Sequence, residues 1–296
     1  MEKEKILKQI ETYLKKYLKN EKHILEAFNI IAFSQKQKNI DTLTQYITAT
    51  SLLLLSYLLA FLFASIFNCL LAVNLTSNPF SILNLIILAI NVTIFSLITS
   101  PINFSYLLMI FNDFYKDLQS DLSNLFFFLV NTLKKIPFFI SVFILNSVTL
   151  LTFLILSFSL GFILSKISLK IAIILFFLII FYLLINLIGF NITALLVFIK
   201  KTSSFINSLL EYEKIQYQYT ETPNKEQIIK EFEIKDIYTI LQDTLLTTLE
   251  IFFKNYFKLI LTTLFSISGI LLLGFGIVFT FSIGTPAIAV LIRKNL

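Results

Sequence analysis

Apolar and polar residues are segregated along this chain into long blocks, not alternated at the period of a half-buried strand or a soluble helix. No charged side chain occurs between Asp41 and Asp113, between Lys135 and Lys166, between Lys170 and Lys200, or between Lys258 and Arg293. A helix needs about 20 mostly apolar residues to cross a bilayer, where its backbone polar groups must bond within the segment. The first block is long enough for two such helices. Asn74-Leu-Thr-Ser-Asn-Pro79 is its turn-forming stretch, which predicts one span over 48–73 and a second from Phe80 to Pro101. Pro101 has no N–H to donate and restricts Ser100, so a kink or break is expected there, with Ile102 to Phe111 continuing as a shorter helical piece. The next two blocks predict a third and a fourth span joined by the hairpin 166–170. The last block exceeds one span and falls short of two. Its glycines and Pro286 predict one full helix and one short helix, with the break between Gly274 and Pro286.

Between these blocks the pattern changes to a helical stripe. Ile10, Tyr17, Ile24 and Ile31 recur every seven residues among lysines, which predicts one amphipathic helix at the N-terminus. Phe114, Leu118, Leu122, Leu125, Leu129 and Leu133 predict a second, with Asp113, Asp117 and Asp121 on its polar side. A solvated face is the simple reading of those carboxylates; a bound cation or basic partner is the alternative. Ile234, Ile237, Leu241, Leu245, Leu249 and Phe252 predict a third, on the heels of the polar stretch 211–235.

Composition supports this division and narrows the chemistry. Of the 296 residues, 57% are hydrophobic and 14% are charged, which leaves too little polar surface for a globular protein of this size. His23 is the single histidine and lies in a charged segment, and Cys69 is the single cysteine, so histidine or dithiol chemistry has no partners. The lysine- and glutamate-rich start has no apolar h-region, so no signal peptide is expected. Of the 24 basic residues, all but Lys166 and Lys170 lie before residue 48, in 113–135, in 200–258 or after Ile292. The positive-inside rule therefore predicts that these segments face the cytoplasm, with both termini inside the cell membrane.

The expected architecture is all-α: a polytopic helical membrane bundle of about six crossings with amphipathic cytoplasmic helices. Its parts are an N-terminal amphipathic helix over 1–46, spans 1 and 2 over 47–112 and an interfacial helix over 113–135. Spans 3 and 4 over 136–199, a polar segment with an amphipathic helix over 200–254 and the broken final segment over 255–296 complete it. Residues 125–145 and 245–265 align at an offset of 120 residues, each leading an amphipathic helix through a lysine into an apolar run, as an ancestral duplication or as a product of low-complexity apolar sequence.

The spans contain no Asp, Glu, Lys, Arg or His, which argues against a proton-coupled pump or an intramembrane protease, and no catalytic motif is present. No enzyme, cofactor, metal or nucleic-acid partner is expected. Six amides do lie in the spans: Asn68, Asn84, Asn91, Asn146, Asn186 and Asn191. They either line a pathway for a neutral or zwitterionic solute or lipid, or bond helix to helix at about 0.6 kcal/mol each. Lys134, Lys135, Lys254 and Lys258 sit where apolar runs begin and are expected to reach lipid headgroups. The expected partners are the bilayer, with anionic lipids attracted by the lysines, and a protein at 200–250.

Three motifs carry a resemblance. A span ends in Ser100-Pro-Ile-Asn-Phe-Ser-Tyr106, a later helix enters the membrane through Phe253-Lys-Asn-Tyr-Phe-Lys258, and the chain closes on Thr285-Pro-Ala-Ile-Ala-Val-Leu-Ile-Arg293. In these the chain resembles the membrane domain appended to some bacterial and archaeal glycerophosphodiester phosphodiesterases and its uncharacterised relatives. The resemblance implies a multi-pass membrane domain. No soluble phosphodiesterase domain accompanies it, so that activity is not implied. The function expected is a non-enzymatic membrane component that organises lipid or a partner through its cytoplasmic helices, with transport of a neutral solute or lipid as the alternative.

Overall fold

A computed structural model describes residues 2–18, 21–33, 42–70, 82–115, 129, 136–164, 169–203, 236–269 and 275–293. Among the described residues there is no strand. The helices are α1 (Glu2–Tyr17), α2 (Lys22–Phe33), α3 (Thr42–Leu70), α4 (Ile82–Tyr115), α5 (Ile136–Leu164), α6 (Leu169–Lys201), α7 (Ile237–Lys254), α8 (Tyr256–Ser268) and α9 (Phe275–Arg293). Five of them, α3, α4, α5, α6 and α9, are long and apolar enough to cross a membrane, and α8 is a shorter apolar helix. The protein is a polytopic helical membrane bundle, in keeping with about six crossings.

The four long helices hold 29, 34, 29 and 33 residues, well beyond the 20 or so a crossing requires. The excess is packed against protein. Every position is buried from Asn103 to Phe111 in α4, from Ile192 to Ile199 in α6 and from Phe281 to Ile292 in α9. Together with Ile24, Phe28 and Ile31 of α2 and Tyr46 and Ala49 of α3, these form the main core. The opposite ends of α3 and α6 present apolar surface: Leu55, Leu58, Phe61 and Phe63 of α3 are exposed, and no position of α6 from Ile174 to Leu184 is buried.

Three expectations are corrected. The N-terminal stripe belongs to two helices, because α1 ends at Tyr17 and α2 begins at Lys22, and between them the Glu21 N–H bonds the Leu18 carbonyl at 2.9 Å. Ile24 and Ile31 enter the core of α2 while Tyr17 of α1 stays exposed, so a regular seven-residue spacing spans two unlike surfaces. Pro101 does not end its helix. α4 continues through it to Tyr115, with the Ser105 hydroxyl donating to the Pro101 carbonyl at 2.7 Å. Nor is the final block broken between Gly274 and Pro286. α8 ends at Ser268, and Pro286 lies well inside α9, in a wholly buried stretch where neighbouring helices shield the backbone.

Close approach explains the glycines better than helix ending does. A Cβ on Gly269 would fall 2.1 Å from the Gly276 backbone, and one on Gly284 would fall 1.9 Å from Ser266 Oγ. α8 and α9 are thus an antiparallel pair held backbone to backbone. The third predicted stripe is real as α7, with Ile237, Leu241 and Phe252 buried and Leu249 exposed. The second begins inside α4, which holds Asp113 and the buried Phe114; most of the rest of it, with Asp117, Asp121, Lys134 and Lys135, and most of the proposed partner segment, 204–235, lie outside the described residues.

Candidate functional site

Two of the six predicted amides meet. Asn146 on α5 donates from Nδ2 to Ser100 Oγ on α4 at 2.8 Å. It accepts at Oδ1 from Asn191 Nδ2 on α6 at 2.9 Å. Asn191 Nδ2 also reaches Thr149 Oγ1 at 2.8 Å, and the Thr149 hydroxyl itself donates into its own helix. Three helices are tied by one chain of side-chain bonds in which both functional ends of the Asn146 amide are engaged. In an apolar surrounding that arrangement fixes which faces meet, because an amide rotated away would lose its partners.

The other four do not converge there. Asn186 turns back on its own helix, donating to the Tyr182 carbonyl at 2.8 Å. Asn84 and Asn91 lie half-buried on α4, nearer its start than Ser100, and Asn68 lies on α3 with its side chain outside the described set. Of the basic residues predicted to reach headgroups, Lys254 and Lys258 are exposed where α7 gives way to α8.

Two further polar ties were not expected. Tyr57 on α3 and Asn103 on α4 exchange hydrogen bonds, the hydroxyl donating to Oδ1 at 2.9 Å and Nδ2 donating to the hydroxyl at 2.7 Å. Thr50 on α3 lies 3.0 Å from the Tyr106 hydroxyl on α4 and 2.9 Å from Ser282 Oγ on α9, linking the last helix to the first long one. A sequence signal existed for the first. Asn103 sits in the same uncharged block as Asn84 and Asn91, just past the kink or break expected at Pro101.

The single histidine is not on a charged surface. His23 is buried, and its Nε2 lies 2.6 Å from Thr262 Oγ1 on α8. The Thr262 hydroxyl donates to the Lys258 carbonyl at 2.6 Å, so the short contact requires Nε2 to carry the proton and Thr262 to accept it. Glu21 Oε2 stands 3.4 Å from the other ring nitrogen. α8 thereby presents a hydroxyl to each of three neighbours: Thr262 to α2, Thr263 against Gly189 of α6 and Ser266 against Gly284 of α9.

On the outside of α8 an apolar groove of about 330 Å³ runs beside α1, lined by Ile10, Tyr13, Leu14, Tyr17, Leu18 and Phe265. Tyr13 and Tyr17 stack at 6.4 Å on its rim, and Lys16 lies over the Tyr17 ring. Such a surface accepts hydrocarbon and offers cations at its edge. No protein-family model, curated protein or solved structure matches the chain.

Proposed function

We propose that this protein is a non-enzymatic integral membrane component that organises phospholipid around its amphipathic helices, with both termini on the cytoplasmic side of the cell membrane. The observation that carries this reading is where its polar and apolar groups are used. Asn146, Asn191, Ser100 and Thr149 are hydrogen-bonded to one another across three helices, which is how helices are fixed in hydrocarbon. The surface, in contrast, offers an apolar groove beside a lysine-bearing helix and exposed lysines among exposed aromatic rings at the end of α7. Lysines at an anionic leaflet contribute about 1 kcal/mol each, enough in combination to enrich one lipid class around the protein.

The test uses the full-length protein reconstituted in phosphatidylcholine vesicles with and without phosphatidylglycerol. Mass spectrometry of lipid retained after mild detergent extraction is expected to show phosphatidylglycerol enriched over its bulk fraction. Flux of a neutral solute and of a fluorescent lipid, followed in the same vesicles, is expected to match protein-free controls. Flux above those controls with no lipid enrichment favours the transporter instead.

A further inference from the structure

α7 runs antiparallel along α6, and three contacts give the register. Asp243 pairs with Lys201 at the end of α6, Phe252 packs on Phe190 with ring centroids 5.5 Å apart, and the Tyr256 hydroxyl meets that of Tyr182. The elbow between α7 and α8 at Asn255 thus lies beside the stretch 182–190 of α6. Phe190 is about 17 Å and Tyr182 about 28 Å from Lys201 at 1.5 Å per residue. Glu250, Lys254 and Lys258 are exposed around this elbow, beside Phe253 at 71% and Phe257 at 84% exposure.

These distances decide where the bilayer surface falls. A boundary at Lys200 and Lys201 would place Glu250 near the hydrocarbon centre and carry Lys254 and Lys258 into its far half, at about 2.5–3.5 kcal/mol for a charged group at the centre. A boundary at the elbow leaves all three in the headgroup layer. Three further features agree. Residues 192–199 of α6 are buried on every side by protein and need no lipid. From Leu169 to the stretch 182–190, α6 offers about 20–32 Å, which matches a hydrocarbon core of about 30 Å. On α3 the exposed side chains change from Thr44, Thr48 and Ser51 to Leu55, Leu58 and Leu59, just short of the Tyr57–Asn103 tie.

We propose that the α7–α8 elbow is a binding surface for anionic phospholipid. Lys254 and Lys258 take phosphate oxygens, Phe253 and Phe257 enter the top of the acyl region, and the bilayer surface meets α6 between Tyr182 and Phe190. Among the described residues no carboxylate pairs with either lysine. Tyr182 and Tyr256 stand at the same level as an interfacial aromatic pair. The proposal rests on the lipid-organising reading for the class of partner and adds the surface, the headgroup charge and the depth.

The chain contains no tryptophan, so Phe257→Trp creates a single fluorophore at the elbow. The full-length variant is reconstituted in phosphatidylcholine vesicles containing brominated lipid. Bromines near the glycerol end of the acyl chain are expected to quench more strongly than bromines near its terminus. Brominated phosphatidylglycerol is expected to quench at lower mole fraction than brominated phosphatidylcholine, by at least about fivefold, the equivalent of about 1 kcal/mol. Adding Lys254→Gln and Lys258→Gln should abolish that headgroup preference and leave the depth profile unchanged. Equal quenching by the two headgroups in the parent, or stronger quenching by the deeper bromines, overturns the proposal. If the headgroup preference is missing while the unmodified protein still retains phosphatidylglycerol, the elbow assignment fails and the lipid-organising reading stands.

Discussion

The two halves of α6 are equally apolar to the eye and do opposite things. From Ile174 to Leu184 the helix carries Phe177, Leu178, Phe181 and Tyr182 outward, and nothing there is buried. From Ile192 to Ile199 every side chain is buried, including Leu195, Leu196 and Phe198 at 0% exposure. Hydropathy does not separate these environments, because lipid tails and a protein core are similar solvents for leucine. Packing does. The buried half meets closely fitted neighbours, Phe104 against Phe198 at 6.1 Å among them, whereas lipid tails can conform to whatever the exposed half presents.

α9 carries the buried extreme further, and its glycines are where the contrast is broken most easily. Gly269→Ala puts a methyl group 2.1 Å from the Gly276 backbone, where no side chain can turn aside. A loss of about 3 kcal/mol or more is expected, at the upper end of overpacking costs, read as a large fall in Tm in detergent. Gly284→Ala meets Ser266 instead, with Oγ at 1.9 Å and Cβ at 2.7 Å. It should be similarly damaging alone and partly rescued by Ser266→Gly. Absence of rescue would mean that α8 and α9 do not approach as described.

Next in size is truncation inside the buried half of α6. Leu195→Ala removes a fully buried side chain and should cost about 2–5 kcal/mol, the transfer of the lost methyl groups plus the cavity they leave. A change under about 1 kcal/mol would show that this stretch relaxes as freely as a lipid-facing one.

These sites also show how far the sequence was legible. The uncharged blocks located the four long helices, because one charge in hydrocarbon costs more than any local propensity gains. The stripe Ile237, Leu241 and Phe252 located α7 for the same kind of reason. What escaped was contact between blocks. Whether Pro101 and Pro286 end a helix depends on what surrounds the backbone, and both lie inside helices whose neighbours cover them. Gly284 reads in sequence as freedom to turn, yet in the bundle it is room for Ser266. Likewise, nothing local to Asn146 and Asn191 distinguishes them from Asn186, which bonds its own helix; the pairing exists only once α4, α5 and α6 are assembled.

That polar tie lies between the two environments and should have an intermediate effect. In a double-mutant cycle with Asn146→Ala and Asn191→Ala, the coupling energy is expected near 0.6 kcal/mol and below about 2 kcal/mol, the range for hydrogen bonds between helices in membranes. A cycle sums to zero if each amide finds another partner when its mate is removed. Thr149, already 2.8 Å from Asn191, is the residue that would supply one, so repeating the cycle on a Thr149→Val background should raise the coupling.

The smallest effect is expected on the exposed half of α6, and it completes the comparison on a single helix. Leu178→Ala makes the same chemical change as Leu195→Ala at a side chain that is 61% exposed. In a bilayer or micelle the space left behind is filled by mobile hydrocarbon, so no cavity persists and the cavity contribution vanishes. The transfer contribution is also small, because the leucine leaves one apolar medium for another. The expected change is within about 0.5 kcal/mol, measured by the same detergent unfolding used for Leu195→Ala. A cost close to that of Leu195→Ala would mean that 174–184 is covered by protein after all. A second copy of the chain would then be the natural cover, and disulfide crosslinking of a Leu178→Cys variant made in a Cys69→Ser background would identify it.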